Sequence, residues 1–487
     1  MPNVAARKAG RVMFWVPLPL FAALVGYQIF GSIPIGLADN GDFPRTLGPL
    51  RLWPAAPNRN NPNILFHYFV NEYIIGDPRW DTGVPSSEWL IAALSKRMAR
   101  GLLPPGTFQM RLMGLVHGSI LMFALGIFLY AVRHRSWWLR LGSGFLLLLI
   151  WTDLEYVEQL STAYTDTGAV VALAVLFAVA VHCLLTPEAA TWKWALVYAA
   201  FGCFLLGTKT QHTVALPFVA AFCFGMAGRT KSKPTRTAWL AGPVLMSAVT
   251  VYMVWKTPAA YRVPPAFTVV FYKLAVLSPD PQGVLAHFRM SEEEFGKYRG
   301  HYAYEPIVPL DSPVLQHRIV GLVTPLSLAS FYLRHPGVLG RVMMFDLRRS
   351  ASVVELSFDG YGHLRQQDVQ NHRRAFELTV WSGFRRALFR VTALHLPWLV
   401  GGVILISGIF YRTPALQAAC PVWPIALVCS LLAISCFLVA SLLDGVETPR
   451  HLVLFQAVID LTIFAAALGA LVTVENARRP VRGRVRI

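Results

Sequence analysis

Two aspartates flank an Asn-Gly turn in "LADNGDFPRTLG" (37–48), just past the first long apolar run of the chain. Asp39 and Asp42 suit proton abstraction from a hydroxyl, and equally suit an Asx turn whose side chains bond nearby backbone N–H groups. Their spacing matches neither an EF-hand calcium loop nor another dependable ligand pattern, so no metal is expected. The stretch "TDLEYVEQLSTAYTDTG" adds Asp153, Glu155, Glu158 and Asp166. Glu155 and Glu158 share one helix face, either to bind substrate or to pair with Lys209 or an arginine. "GTKTQHT" adds Lys209, Gln211 and His212. Lys209 at a membrane boundary suits anion binding, or snorkels to lipid headgroups, while His212 alone is more often a hydrogen-bonding residue than a catalytic one. "LLDGVETPRH" ends on Arg450 and His451, a pair suited to clamping a phosphate, although Arg450 can instead pair with Glu447.

These groups sit at the ends of apolar runs. Hydrophobic residues make up 55% of the 487 and charged residues 14%, which makes the bilayer the solvent. Runs that can cross about 30 Å of hydrocarbon as helices lie at 12–33, 108–132, 141–158, 166–185, 193–208, 212–228, 237–256, 391–411, 420–443 and 451–472. The third and fifth are short or polar at one end and read as broken or tilted helices. The expected fold is an all-α polytopic membrane protein with about ten transmembrane helices.

Lysine and arginine mark cytoplasmic segments. Arg7, Lys8 and Arg11, then Arg133, Arg135 and Arg140, then Arg229, Lys231, Lys233 and Arg236, and the arginines of the tail all fall on one side of this arrangement. Both termini are therefore expected in the cytoplasm. The net charge of +18 reads as an orientation signal, with some contact to membrane lipids and no need of nucleic acid. No small-x-small cleavage site closes the first apolar run, so an uncleaved span is expected. The six cysteines lie in or beside apolar runs and imply no disulfide framework.

Two long polar segments, 34–107 and 257–390, fall outside the cytoplasm on this reading. The chain then divides into a seven-span module with its first external loop (1–256), an external loop or cap (257–390), and a three-span segment with a basic tail (391–487). "SSEWLIAALSKRMARGLLPP" opens on helix-start residues and places Trp89, Ala93 and Leu94 at helical spacing, as an interfacial helix would. In the second loop, Pro325 and Pro336 interrupt an apolar stretch that reads as one or two further interfacial helices, and "PDPQGVLAHFRMSEEEFGKYRGHYAYEP" reads as part of a small cap.

The layout of a polar first loop, an interfacial helix, seven spans, a large second loop and further spans resembles the GT-C class of integral-membrane glycosyltransferases. More narrowly, "NGDFPR", "FQMRLMGLVHG", "GTKTQ", "FYLRHP" and "ETPRH" are similar to bacterial polyprenyl-phosphate-sugar-dependent hexosyltransferases that decorate cell-surface glycans. The resemblance implies a donor sugar on a polyprenyl phosphate, a glycan or lipid-linked acceptor, and an active site on the external or periplasmic face of the inner (plasma) membrane. It implies a catalytic carboxylate in the first external loop, here Asp42, with Asp39 as the alternative or as a second acceptor contact. Lys209 and Arg450, supported by His451, would then meet the charge that develops on the leaving phosphate. The first loop lacks the adjacent Asp–Glu pair found in some members of the class. No cofactor is expected, because lysine and arginine suffice to neutralise a lipid phosphate. A transporter or flippase of a lipid-linked or anionic substrate is the alternative, since boundary charges and broken spans also mark transport paths. A scaffold subunit of a glycan-export complex is a third class.

Overall fold

A computed structural model describes residues 15–55, 61–76, 82–310, 312–350, 362–391, 395–413, 420–443 and 451–478. In chain order, α1 (Pro17–Phe30) leads into the first loop, which holds α2 (Phe43–Leu47), the strands β1 (Leu52–Pro54) and β2 (Glu72–Ile75), α3 (Glu88–Leu102), and β3 (Thr107–Gln109). Then follow α4 (Arg111–Val132), α5 (Trp137–Trp151), α6 (Leu154–Leu160), α7 (Thr165–Leu185), α8 (Trp192–Thr208), α9 (Leu216–Arg229) and α10 (Lys233–Lys256). The second loop carries α11 (Pro313–Leu322), α12 (Pro325–Arg334), α13 (Pro336–Arg349) and α14 (Val380–Val391). The last described helices are α15 (His395–Arg412), α16 (Trp423–Leu443) and α17 (Val453–Arg478).

Helices thus occupy the stretches read as spans, and the chain is an all-α polytopic membrane protein. Among the described residues, six helices are long and apolar enough to cross a bilayer: α4, α7, α10, α16, α17, and α9 together with the turn that precedes it. Helices α1, α5, α8 and α15 are apolar but shorter, as is the stretch Val263–Leu277, which the sequence reading left in the external loop. The expected third span, 141–158, breaks in two. Helix α5 stops at Trp151, and Asp153 caps the new helix α6 by accepting from the Glu155 N–H, the usual role of an aspartate at a helix start.

Helix α7 is the hub, buried along nearly its whole length and packed against α4, α8 and α17. Its sequence is apolar on every side and rich in Ala and Val, which suits a helix surrounded by protein and lets its neighbours approach closely.

The first loop folds over the mouth of this bundle. Its three strands form an antiparallel sheet in the order β1-β2-β3, with Leu52 opposite Ile75 and Glu72 opposite Gln109. Helix α3 buries Glu88, Ile91, Ala92, Ser95 and Ala99, and leaves Leu90 and Leu94 67% and 49% exposed. One face docks on protein and the other carries bare leucines beside Arg97 and Arg100, as in a helix lying at a lipid surface.

The second loop has a hydrophobic core of its own, including Phe267, Phe271, Phe288, Phe295, Phe331 and Val342. Each of α11, α12 and α13 begins on a proline, whose missing N–H costs nothing in a first helical turn. The stretch therefore makes three helices where one or two were expected. A buried pair ties this cap to the bundle: Lys273 Nζ lies 2.6 Å from Asp346 Oδ2 and donates to the Ser441 carbonyl at 2.7 Å.

Candidate functional site

The "DNGD" stretch is a turn, and the turn aims its carboxylates. Asp39 Oδ1 accepts from the N–H groups of Gly41 (2.8 Å) and Phe43 (3.1 Å). Gly41 has φ of +96°, a conformation that favours glycine. Asp39 is 7% exposed. Burial pushes its carboxyl up to about 6, against the pull of those backbone hydrogen bonds. Asp42 stands at the head of α2 and pairs with Arg45 at 2.9 Å.

The strand-like chain before Asp39 is held from two sides. The Ala38 N–H donates to the Gly362 carbonyl at 2.7 Å and the Gly36 N–H to that of His363 at 3.3 Å. From the bundle, the Tyr164 hydroxyl donates to the Ala38 carbonyl (2.7 Å) and accepts from the Asn40 N–H (3.2 Å).

Tyr164 is the residue before α7, and Asp166 lies in that helix's first turn. Asp166 Oδ1 is 3.1 Å from His212 Nε2, and Oδ2 is 3.4 Å from Lys209 Nζ. His212 Nδ1 lies 2.7 Å from Thr208 Oγ1. Gln211 Nε2 donates to the His451 carbonyl at 3.3 Å.

The start of α3 sets the depth of Lys209. Ser86 Oγ donates to the Thr208 carbonyl (2.8 Å), Ser87 Oγ to that of Phe204 (2.6 Å), and the Ser87 N–H to that of Gly207 (2.7 Å). These bonds satisfy the last turn of α8, which would otherwise end on unpaired carbonyls. Behind them Glu88 and His117 form a fully buried pair at 2.8 Å. His117 Nδ1 also contacts the Leu160 carbonyl at 2.7 Å.

Hydrogen bonds to neighbouring backbone and adjacency along the chain therefore link Asp39, Tyr164, Asp166, Lys209, His212, Gln211 and His451, with Asp42 on the same loop. Arg450 lies outside the described residues. Asp166 and Tyr164 were given no role from the sequence, and Ser86, Ser87 and Glu88 were read only as helix-start signals.

Glu155 and Glu158 belong to a different neighbourhood. Glu155 pairs with Arg385 of α14, whose Nη1 also lies 2.8 Å from Asp460 Oδ2 on α17. The Tyr156 hydroxyl donates to the same Asp460 oxygen at 2.5 Å, and Asp153 Oδ2 accepts from the Ser382 N–H at 2.9 Å. Of the two readings open for Glu155, the arginine pair is the one present, and Lys209 is taken by Asp166. Glu158 is fully buried, and neither carboxyl oxygen has a hydrogen-bond partner among the described residues. Among the described residues, no group of three or more His, Cys, Asp or Glu side chains is placed to hold a metal ion.

No curated protein and no solved structure matches the chain. A family model does, over residues 8–483, so the match takes in both loops and every described helix. Over that length the chain belongs to the family described as the YfdI N-terminal transmembrane domain.

Proposed function

We propose that the chain is a membrane glycosyltransferase that moves a hexose from a polyprenyl-phosphate donor to a cell-surface glycan or lipid-linked acceptor. The observation that carries this reading is a buried, weakly acidic carboxylate on the first loop, joined through Tyr164 to a lysine and histidines at the ends of membrane helices.

Asp39 takes the proton of the acceptor hydroxyl. The freed oxygen pair bonds the anomeric carbon as the bond from that carbon to the phosphate oxygen breaks, and polyprenyl phosphate leaves with the electron pair. Lys209 and His451 face the charge that grows on the departing phosphate. Asp166 holds Lys209 and His212 in place until a phosphate shares them. Arg450 joins this set on the strength of its neighbour His451. Asp39 is preferred to Asp42 as the base because Arg45 already engages an Asp42 oxygen, whereas the Asp39 carboxyl is poised near neutrality.

In this scheme the site faces the outside of the plasma membrane, with both termini cytoplasmic, as the basic clusters suggest. An impermeant thiol reagent applied to intact cells is expected to label a cysteine placed at Ser291 and to spare one at Ser232; the reverse pattern inverts the topology.

The direct test is reconstitution with synthetic polyprenyl-phosphate hexoses in envelope membranes that supply the acceptor. Release of polyprenyl phosphate is expected. Movement of intact donor across the bilayer without release would make the chain a flippase instead. In the same assay, Lys209→Met is expected to weaken donor binding on the order of tenfold, the loss of one charge-assisted contact to phosphate. Unchanged donor affinity in both Lys209→Met and Arg450→Met would make these cations structural.

A further inference from the structure

The Asp39 loop and the cation site are carried by different parts of the chain, yet a transfer needs them at a fixed separation. A misplacement of about 1 Å costs a hundredfold in well-oriented chemistry. Within the proposed function, on which this inference rests, something has to set that distance.

We infer that Tyr164 is a positioning residue: its hydroxyl clamps the two residues that flank Asp39 and registers the base against the head of α7, where Asp166 aligns Lys209 and His212. The clamp straddles Asp39, with the Ala38 carbonyl on one side and the Asn40 N–H on the other. A hydroxyl can donate one bond and accept another, which is what a carbonyl and an N–H together require. The ring is buried and packs edge-on against Phe43 at 4.8 Å between centroids, so the hydroxyl has little freedom to wander.

The backbone beneath the ring is fixed as well. The Tyr164 carbonyl accepts from the Thr167 N–H at 3.1 Å, and Thr46 of α2 donates to the neighbouring Ala163 carbonyl at 2.8 Å. Two residues further on, Asp166 holds Lys209 and His212. One stiff helix head thus carries both the clamp on the base and the carboxylate that orients the cations. Asp42 and the buried Tyr73 phenol also interact electrostatically with Asp39.

Tyr164→Phe keeps the ring and removes both bonds. In the full chain, with labelled synthetic polyprenyl-phosphate hexose as donor, kcat is expected to fall tenfold or more while donor Kd stays within about twofold, since no donor contact is lost. In an Asp39→Asn background the same change is expected to cost nothing further, because the group it positions has gone. 4-Aminophenylalanine at 164, which both donates and accepts, is expected to restore most of the rate. Should Tyr164→Phe fail to fold, the exchange of the 38–43 amides in Tyr164→His, which keeps a ring but moves its polar atoms off the para position, takes its place: faster exchange there supports the clamp and unchanged exchange overturns it.

Full kcat for Tyr164→Phe, or an equal loss with and without Asp39, overturns the inference. Hydrogen exchange separates this from a failure of the proposed function. If wild type transfers no hexose, faster amide exchange at 38–43 in Tyr164→Phe with unchanged exchange at 209–212 still supports the clamp, and unchanged exchange at 38–43 overturns it.

Discussion

Asp39→Asn is expected to lower turnover on the order of a hundredfold or more and to leave donor binding and folding intact. The amide oxygen can still accept from Gly41 and Phe43, so the turn survives, but the proton acceptor is lost. The pH dependence carries a second signature. A base works deprotonated, and burial places the Asp39 carboxyl at about 6, so the wild-type rate is expected to rise through that pH.

The stability consequence has the opposite sign. A carboxyl whose folded value lies above its unfolded one leaves the folded state binding the extra proton, so its contribution falls as pH rises from the ordinary aspartate value through about 6. Asn carries no charge to desolvate, and Asp39→Asn is expected to melt no lower than wild type at neutral pH. Initial rates across pH and thermal unfolding in detergent read both effects. A near-normal rate in Asp39→Asn with collapse in Asp42→Asn would move the base to Asp42, and near-normal rates in both would leave the motif as a turn.

Arg385→Met is expected to be the most damaging change to stability. Arg385 is 1% exposed and sits between Glu155 and Asp460. Removing it strands carboxylates inside the protein, which for a buried pair costs about 3–5 kcal/mol, because the partner's desolvation is no longer offset. The loss should appear as a large drop in unfolding midpoint, and as release of the segment around Leu378 and Ser382 from α6. Neutralising the partners as well, in Arg385→Met with Glu155→Gln and Asp460→Asn, is expected to recover much of the loss. An unfolding curve unchanged by Arg385→Met would show that this charge network contributes nothing to stability.

The spans were legible because a run of apolar residues states its own solvent. The α7 stretch was read only as one span among ten, and its burial on every side follows from the packing around it. The third run was read as a broken or tilted helix from its length and polar end, but the place of the break, at Thr152–Asp153, was not legible, since a cap is a local choice made once the chain has room to turn. The sheet was invisible, because strands of three or four residues have too little length for a period to show. At the site, the residue types at 39, 42, 209 and 212 were readable, but their partners were not. Lys209 meets Asp166, and Glu155 meets Arg385, pairings set by which helices pack together. Glu88 was read as a helix-start acid, and its burial against His117 follows only from α3 lying down on α4.

Helix α8 has 17 residues, which at a rise of about 1.5 Å per residue is shorter than the hydrocarbon it must cross. Trp192, Lys193 and Trp194 anchor its first turn at one interface, as aromatic and basic residues do. With that turn at one interface, the opposite end, where Lys209 follows directly, would fall short of the other. Lipid meets such a mismatch by thinning, at a fraction of a kcal/mol per Å. On the proposed function, a bilayer that thins beside α8 would bring the phosphate of a lipid-borne donor nearer to Lys209. The elasticity of the membrane would then join the side chains in setting how far that headgroup has to climb.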